Sequence, residues 1–135
     1  MIEFNFETDF DLTDKERLSN WIERTISEEG YEVGDISYVF CDDDYLHKLN
    51  MEFLKHDTLT DIISFDYCMG RQINGEIFIS VDRVRENAEE FGVSFEQELY
   101  RVMIHGILHY CGYGDKTDEE ERVMRKKEDG ALANL

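Results

Sequence analysis

Several features that mark particular classes of protein are missing from this sequence. It contains no proline, and no stretch of roughly 18 consecutive apolar residues of the kind that crosses a membrane. Residues 1–7 are acidic and alternate in polarity, unlike the basic and then apolar start of a secretory signal. A proline-rich linker, an internal repeat and a low-complexity tract are also absent. We therefore expect no membrane span, and one domain over residues 1–135.

Cysteine is also scarce. The three residues, Cys41, Cys68 and Cys111, are odd in number and show no paired spacing. Such usage is typical of a reduced protein, so we expect a cytoplasmic location. Hydrophobic residues make up 41% of the chain, which excludes disorder by composition and is enough for one core.

Basic residues are few: 14 lysines and arginines face 32 aspartates and glutamates, for a net charge of −18. Proteins that bind nucleic acid usually carry a basic patch, because neutralising phosphates drives much of the affinity. A nucleic-acid substrate would therefore require a metal ion, a presenting partner or a local basic patch. One such cluster comprises Arg122, Arg125, Lys126 and Lys127. The alternative is an acidic surface that only keeps the protein soluble.

The segment 102–111 is an apolar helical stretch interrupted by His105 and His109. Residues four apart lie one turn apart on the same side of a helix. Two histidines buried in a core without partners would be unfavourable, and a shared metal ion resolves this. The alternative is that the pair simply lines a polar cavity.

A third metal ligand is available directly after this helix. Gly112 and Gly114 allow a sharp turn, which would bring Asp115 back towards the imidazoles. Two histidines and one carboxylate leave a coordination position for water, which is typical of a catalytic zinc site. We therefore predict one divalent metal ion, expected to be zinc, bound by His105, His109 and Asp115.

The rest of the pattern alternates strands and helices. Strands are expected at 2–7, 31–41 and 75–80, with another after a turn in 57–66, and a hairpin loop at 71–74. Capping boxes at Thr13, Ser94 and Thr117 open three helices, and two more are expected at 42–53 and 82–90, the latter capped by Ser80. The fold class is α+β: a four-stranded mixed sheet packed with about five helices, with the metal site at the end of a central helix.

The segment 105–113 resembles the signature H-G-x-L-H-x-x-G-Y-D-H of the YbeY family. Members of that family are metal-dependent endoribonucleases of ribosomal RNA maturation, and three histidines of the signature hold zinc. This chain departs at the last two positions, with Gly114 in place of the aspartate and Asp115 in place of the third histidine. A carboxylate is a harder donor than imidazole, so metal preference is expected to differ from that of a three-histidine site.

The resemblance extends over residues 50–128. The segment 57–66 resembles the family's K-D-x-P-T-D-V-L-S-F, with matches at Asp57, Thr60, Asp61, Ser64 and Phe65. In that family this strand lies near the active site, which implies that Thr60 and Ser64 contact substrate. The alternative is that Thr60 and Asp61 only form a turn or cap.

Candidate catalytic residues follow from the same resemblance. The family usually has an arginine, implicated in catalysis or RNA contact, where this chain has Leu54. Arg101, one turn before His105, is expected to replace it. Glu76 and Asp61 are candidates for the general base because the resemblance places their strands close by, and the sequence identifies no base on its own.

The resemblance implies a single-strand-specific endoribonuclease acting in ribosome biogenesis, with ribosomal RNA and the ribosomal subunit or its proteins as partners. In such an enzyme, water activated by the metal attacks the phosphodiester. One alternative is a metal-dependent peptidase or amidase, although Gly106 stands where metalloprotease helices carry their basic glutamate. Another alternative is a ribosome assembly factor with a weakened metal site and little catalysis.

Overall fold

The computed structural model describes residues 1–55 and 60–135. Strands form where polar and apolar residues alternate, and helices form where apolar residues recur every three or four positions. In chain order the elements are β1 (Ile2–Phe6), α1 (Lys15–Glu28), β2 (Glu32–Cys41), α2 (Asp43–Leu49), a π-helical turn (Asn50–Leu54), β3 (Ile62–Asp66), β4 (Gln72–Ser80), α3 (Val81–Phe91), α4 (Phe95–Tyr110) and α5 (Asp118–Ala133).

The four strands form one mixed sheet in the order β1-β2-β4-β3. Strands β1 and β2 are parallel, as are β2 and β4, whereas β3 runs antiparallel to β4 at the edge. With five α-helices among the described residues, this arrangement confirms the predicted α+β class and mixed sheet. In this part of the chain, none of the helices combines the length and the apolar character that crossing a membrane requires.

The sheet is covered on both faces, but unequally. The larger core contains Ile73, Ile77 and Ile79 from alternate positions of β4, together with most of the apolar residues of α4. The smaller core, under α2, contains Phe78 and Ile63 from the opposite face. Burying each such side chain contributes about 1.5–3 kcal/mol, so the larger core dominates the stability of the fold. Helix α4 is therefore a central element.

Three contacts hold α4 in place on the sheet. The hydroxyl of Tyr38 donates a buried hydrogen bond of 2.8 Å to the Met103 carbonyl. At the helix end, the hydroxyl of Tyr110 donates to the Phe65 carbonyl at 2.9 Å. Between them, a Cβ at Gly106 would lie only 3.1 Å from Ile77 Cδ1 and 3.2 Å from Ile62 Cδ1, so the glycine permits close approach. The direction in which α4 presents its histidines is thereby fixed.

The predicted helix caps are confirmed in three of four places. Ser94 and Thr117 begin α4 and α5 with complete capping boxes, and Ser80 caps α3. The capping box expected at Thr13 was wrong. Asp14 is the N-cap, in the left-handed region at φ 58° and without a side-chain cap bond, so the helix begins after it.

Two other boundaries differ from the prediction. The hairpin loop expected at 71–74 was placed too late, because β4 already begins at Gln72, where it pairs with Glu32 of β2. The helix expected at 42–53 is interrupted, since α2 ends at Leu49 and the chain continues as the π-helical turn. Neither difference moves the histidine helix.

Candidate metal centre

The two histidines project from the side of α4 that faces α5. The rings of His105 and His109 meet edge to face, with their centroids 4.4 Å apart. Their side chains are 22% and 30% exposed, so they lie at the rim of the core. The expectation that both histidines are buried in the core was wrong, because this side of α4 borders a cleft instead of the sheet.

The chain turns back sharply where α4 ends. Gly112 adopts φ 98°, in the left-handed region that favours glycine. The backbone N–H of Tyr113 donates to the Leu108 carbonyl at 3.1 Å, which closes the end of the helix. This reversal brings Asp115 next to both histidine rings.

The glycine at position 114 has a structural reason that involves α5. A Cβ at Gly114 would lie 2.2 Å from Glu120 Oε2. The other carboxylate oxygen of Glu120 accepts a hydrogen bond of 3.2 Å from the Thr117 N–H as part of the capping box. Because the cap of α5 occupies this space, a side chain at position 114 would displace it.

Three donor atoms converge at this turn. Asp115 Oδ2 lies 3.4 Å from His105 Nε2 and 3.3 Å from His109 Nε2. The two Nε2 atoms are 2.9 Å apart. In a tetrahedral zinc site with bonds of about 2.0–2.1 Å, ligand atoms are about 3.3–3.4 Å apart. Both nitrogen–oxygen distances match that spacing, whereas the two nitrogens lie closer together than it requires. The cluster could hold a metal ion.

When both rings are neutral, their hydrogen bonds leave both Nε2 atoms as acceptors. Nδ1 of His105 lies 2.7 Å from a carboxylate oxygen of Glu128, and Nδ1 of His109 lies 2.8 Å from the Tyr113 carbonyl. Both partners only accept, so both Nδ1 atoms must carry the hydrogen. With neutral rings, two nitrogen lone pairs and a carboxylate then face one another. Such a set of acceptors fits a divalent cation. Metal-binding histidines are usually oriented in this way, with the other ring nitrogen donating to a carboxylate or a carbonyl.

Glu128 is the buried centre of a charge network behind this cluster. Its side chain is 6% exposed, and it accepts hydrogen bonds from His105 and, at 2.8 Å, from Arg101. Burial alone would raise the pKa of Glu128, but these hydrogen bonds lower it. Burial likewise would lower the pKa of His105, but the bond to Glu128 and the nearby carboxylates raise it. The network therefore favours the charged forms of both groups in the metal-free protein.

Arg101, expected to contact phosphate, is occupied by the protein itself. Its guanidinium forms ion pairs with Glu128 at 2.8 Å and with Asp129 at 2.6 Å. Two carboxylates of α5 thus take up its charge, and its side chain is 20% exposed. The structure places Arg101 as a support for Glu128, away from the donor triangle.

The two candidates for the general base lie on different sides of the sheet. Asp61 precedes β3 and lies close enough to His105 for the charge of that histidine to act on its carboxylate. Burial raises the pKa of Asp61, and this effect exceeds the lowering by His105. Glu76 lies on β4 between Gly75 and Ile77, and its carboxylate accepts from the Tyr67 hydroxyl at 3.2 Å. Because Ile77 faces the histidine helix, Glu76 faces the opposite side. The structure brings Asp61, but not Glu76, towards the histidines.

The expected substrate contacts lie along β3. Thr60 uses its hydroxyl locally, donating to the Ile62 carbonyl at 3.4 Å. Ser64 is exposed and lies on the same face of the strand as Ile62, which packs against α4. Asp57, another match in this segment, falls outside the described residues.

A cleft of about 540 Å³ opens beside the donor triangle, between α4 and α5. Its lining combines the site with charged residues of α5, namely His105, Asp115, Asp118, Glu121, Arg122, Met124, Arg125 and Glu128. The cleft is open to solvent, so a polymer could reach the histidines and Asp115 from this side.

Sequence reasoning missed Glu128 and the carbonyl of Tyr113. Glu128 follows Met124 by four residues on α5, so both lie on its buried side. A glutamate at an apolar position of an amphipathic helix was the available signal, because such a group needs a partner. The contact of the Tyr113 carbonyl with His109 could not be predicted from the sequence, because every residue has a backbone carbonyl.

The chain is similar to known proteins over most of its length. The family model described as Endoribonuclease YbeY matches residues 3–135. A protein of that name from Flavobacterium johnsoniae is 56% identical, over 98% of this chain and 96% of its own length. One from Bacteroides thetaiotaomicron is 45% identical, over 88% of this chain and 87% of its own.

A solved structure shows the same fold. The solution structure of a Thermotoga maritima protein matches 99% of this chain and 91% of its own, with a TM-score of 0.70 and 31% identity. The family match and the curated relatives both extend over the histidine helix and the turn after it. The chain belongs to the YbeY family.

Proposed function

We propose that the chain is a metal-dependent endoribonuclease that cuts single-stranded ribosomal RNA during ribosome maturation in the cytoplasm. Residues 1–135 act as one catalytic domain in this proposal. The observation that carries it is the convergence of His105, His109 and Asp115 on one point at the edge of an open cleft. The relatives named Endoribonuclease YbeY support the choice of RNA as substrate.

His105, His109 and Asp115 would hold one divalent ion, with zinc as the proposed metal. An ion at this position supplies Lewis acidity, lowering the pKa of water and stabilising charge on a phosphoryl oxygen. The chain contributes the orientation of the ligands: Glu128 and the Tyr113 carbonyl fix both rings with Nε2 towards the cleft.

Asp61 is the proposed proton acceptor. Burial raises the pKa of its carboxyl, and a base works best when its pKa approaches the working pH. Gly106 occupies the position at which metalloproteases carry their glutamate base, and its Cα packs against the sheet. This arrangement favours a nuclease over a peptidase. Ser64, exposed on β3, is proposed to contact the RNA.

The experiment measures two activities and metal content together. Purified protein is incubated with labelled ribosomal RNA and with casein, each with and without a chelator, and its metal is determined by elemental analysis. We expect chelator-sensitive RNA cutting and no proteolysis. Asp115→Ala should lose metal and activity, whereas Asp118→Asn, which removes a carboxylate from the same cleft but not from the triangle, should retain its metal.

Other results would point to the alternatives. Chelator-sensitive cutting of casein would identify a peptidase. Neither activity, together with co-sedimentation with ribosomal subunits, would identify an assembly factor without catalysis.

A further inference from the structure

The cleft beside the donor triangle contains two cations that the proposed mechanism does not use. Arg122 and Arg125 line this cleft, whereas Arg101 is paired with Glu128 and Asp129. Both lie on α5, one turn apart, on the wall opposite the histidines.

Arg125 is less closely paired than Arg122, although its charge acts on the nearby carboxylate of Glu98. The Arg125 side chain is exposed and, within ranges 1–55 and 60–135, makes no hydrogen bond and no ion pair. Arg122 pairs with Glu119 on the preceding turn, and both side chains are more than 70% exposed. Exposed pairs of this kind contribute little, so an incoming anion can displace Glu119.

The charge of the cleft explains why such cations matter. Asp118 and Glu121 line the same wall, and the whole chain carries a net charge of −18. An RNA strand approaching this wall meets repulsion unless cations offset these carboxylates. The planar guanidinium of arginine can bind two phosphate oxygens at once, which suits this position.

We infer that Arg125, assisted by Arg122, forms a phosphate-binding subsite of the cleft. It takes a backbone phosphate of single-stranded RNA next to the one that reaches the donor triangle. The inference rests on the proposed function for the identity of the anion. It assigns to α5 the phosphate contact that was expected of Arg101, whose guanidinium is paired with Glu128 and Asp129.

The test compares matched variants in one binding assay and one cleavage assay. Binding of a fluorescent single-stranded 2′-O-methyl RNA to the metal-loaded protein is measured by anisotropy between about 50 and 200 mM salt. The control is Lys126→Gln, which makes the same charge change on the other side of α5, in a groove next to Glu28. Thermal unfolding verifies that every variant is folded.

Arg125→Gln should weaken binding about tenfold and reduce the slope of log K against log salt by about 0.7. KM for RNA cleavage should rise with little change in kcat. Arg125→Lys should recover part of the binding, and Lys126→Gln should resemble the wild type. Equal effects of Arg125→Gln and Lys126→Gln on binding and slope would overturn the inference.

The outcomes separate this inference from the proposed function. Wild-type protein that cuts RNA while Arg125→Gln behaves like the control keeps the function and removes the subsite. Wild-type protein that binds the oligonucleotide through Arg125 but cuts nothing keeps the subsite and removes the nuclease. Protein that neither binds nor cuts overturns both.

Discussion

At the scale of single residues, Glu128 orients one of the three side chains of the candidate metal centre. It accepts a hydrogen bond of 2.7 Å from Nδ1 of His105 and another from Arg101. Removing its charge would change the basicity and the orientation of His105, a proposed ligand, and would leave the donor triangle chemically intact. Its effect should therefore appear in metal affinity more than in folding.

We expect Glu128→Gln to weaken zinc binding about 10–100-fold, the usual loss when a group that orients a ligand is changed. The measurement is a calorimetric titration of chelator-stripped protein. Asp129→Asn is the control, because Asp129 also pairs with Arg101 but has no contact with His105. Equal losses in the two variants would mean that the charge of Arg101, and not the histidine contact, is what matters.

The contact between His105 and Glu128 also predicts that the stability of the metal-free protein depends on pH. The pKa of His105 is raised in the folded state, so its contribution to stability is complete below its ordinary pKa of about 6.5. That contribution is lost as the pH rises through the raised pKa. Glu128, with a lowered pKa, stays charged throughout this range.

Glu128→Gln should therefore lower the free energy of unfolding more at pH 6 than at pH 8. Urea denaturation in the presence of a chelator measures this difference. The same loss at both pH values would show that His105 does not carry the extra proton.

At the scale of elements, the contact between α4 and the β3–β4 pair positions the site. A Cβ at Gly75 would lie 2.3 Å from the Tyr110 hydroxyl and 2.7 Å from the Phe65 carbonyl. Gly75→Ala must therefore shift the end of α4, and we expect a loss of about 1–3 kcal/mol in stability.

Gly130→Ala is the matched control, measured by the same chemical denaturation. Gly130 lies within α5, and a Cβ there would meet nothing within 4 Å. Alanine favours helix over glycine by about 0.8–1.0 kcal/mol, so this variant should be more stable than the wild type. A Gly75→Ala protein as stable as the wild type would contradict close packing at the end of α4.

How far the sequence could predict these elements depends on how local each feature is. The histidine helix and its turn follow from residues within one stretch, so their i,i+4 spacing and glycines were sufficient. Glu128 acts on His105 from another helix, which no local pattern reveals. Glu76 was nominated by resemblance, although its alternation with Ile77 on β4 already indicated the opposite face. The left-handed conformation of Asp14, which moved the start of α1, is one that aspartate adopts only occasionally, so its residue type gave a weak signal.

At the scale of the whole molecule, the net charge of −18 means that the folded chain repels itself. Salt screens this repulsion, since the Debye length falls from about 10 Å at 0.1 M to about 3 Å at 1 M. We expect the thermal midpoint of the metal-free protein to rise with sodium chloride. Differential scanning calorimetry at several salt concentrations measures this. A falling midpoint would mean that the ion pairs outweigh the general repulsion.

The position of Asp115 between two helices has one further consequence. The triangle draws two atoms from α4 and one from the turn that leads into α5, while Glu128 reaches back from α5 itself. A cation that binds only this closed arrangement stabilises it against local unfolding in which α5 separates from α4. Deuterium uptake by the amides of α5 should therefore slow when the cation is added, while β1, at the far edge of the sheet, exchanges as before.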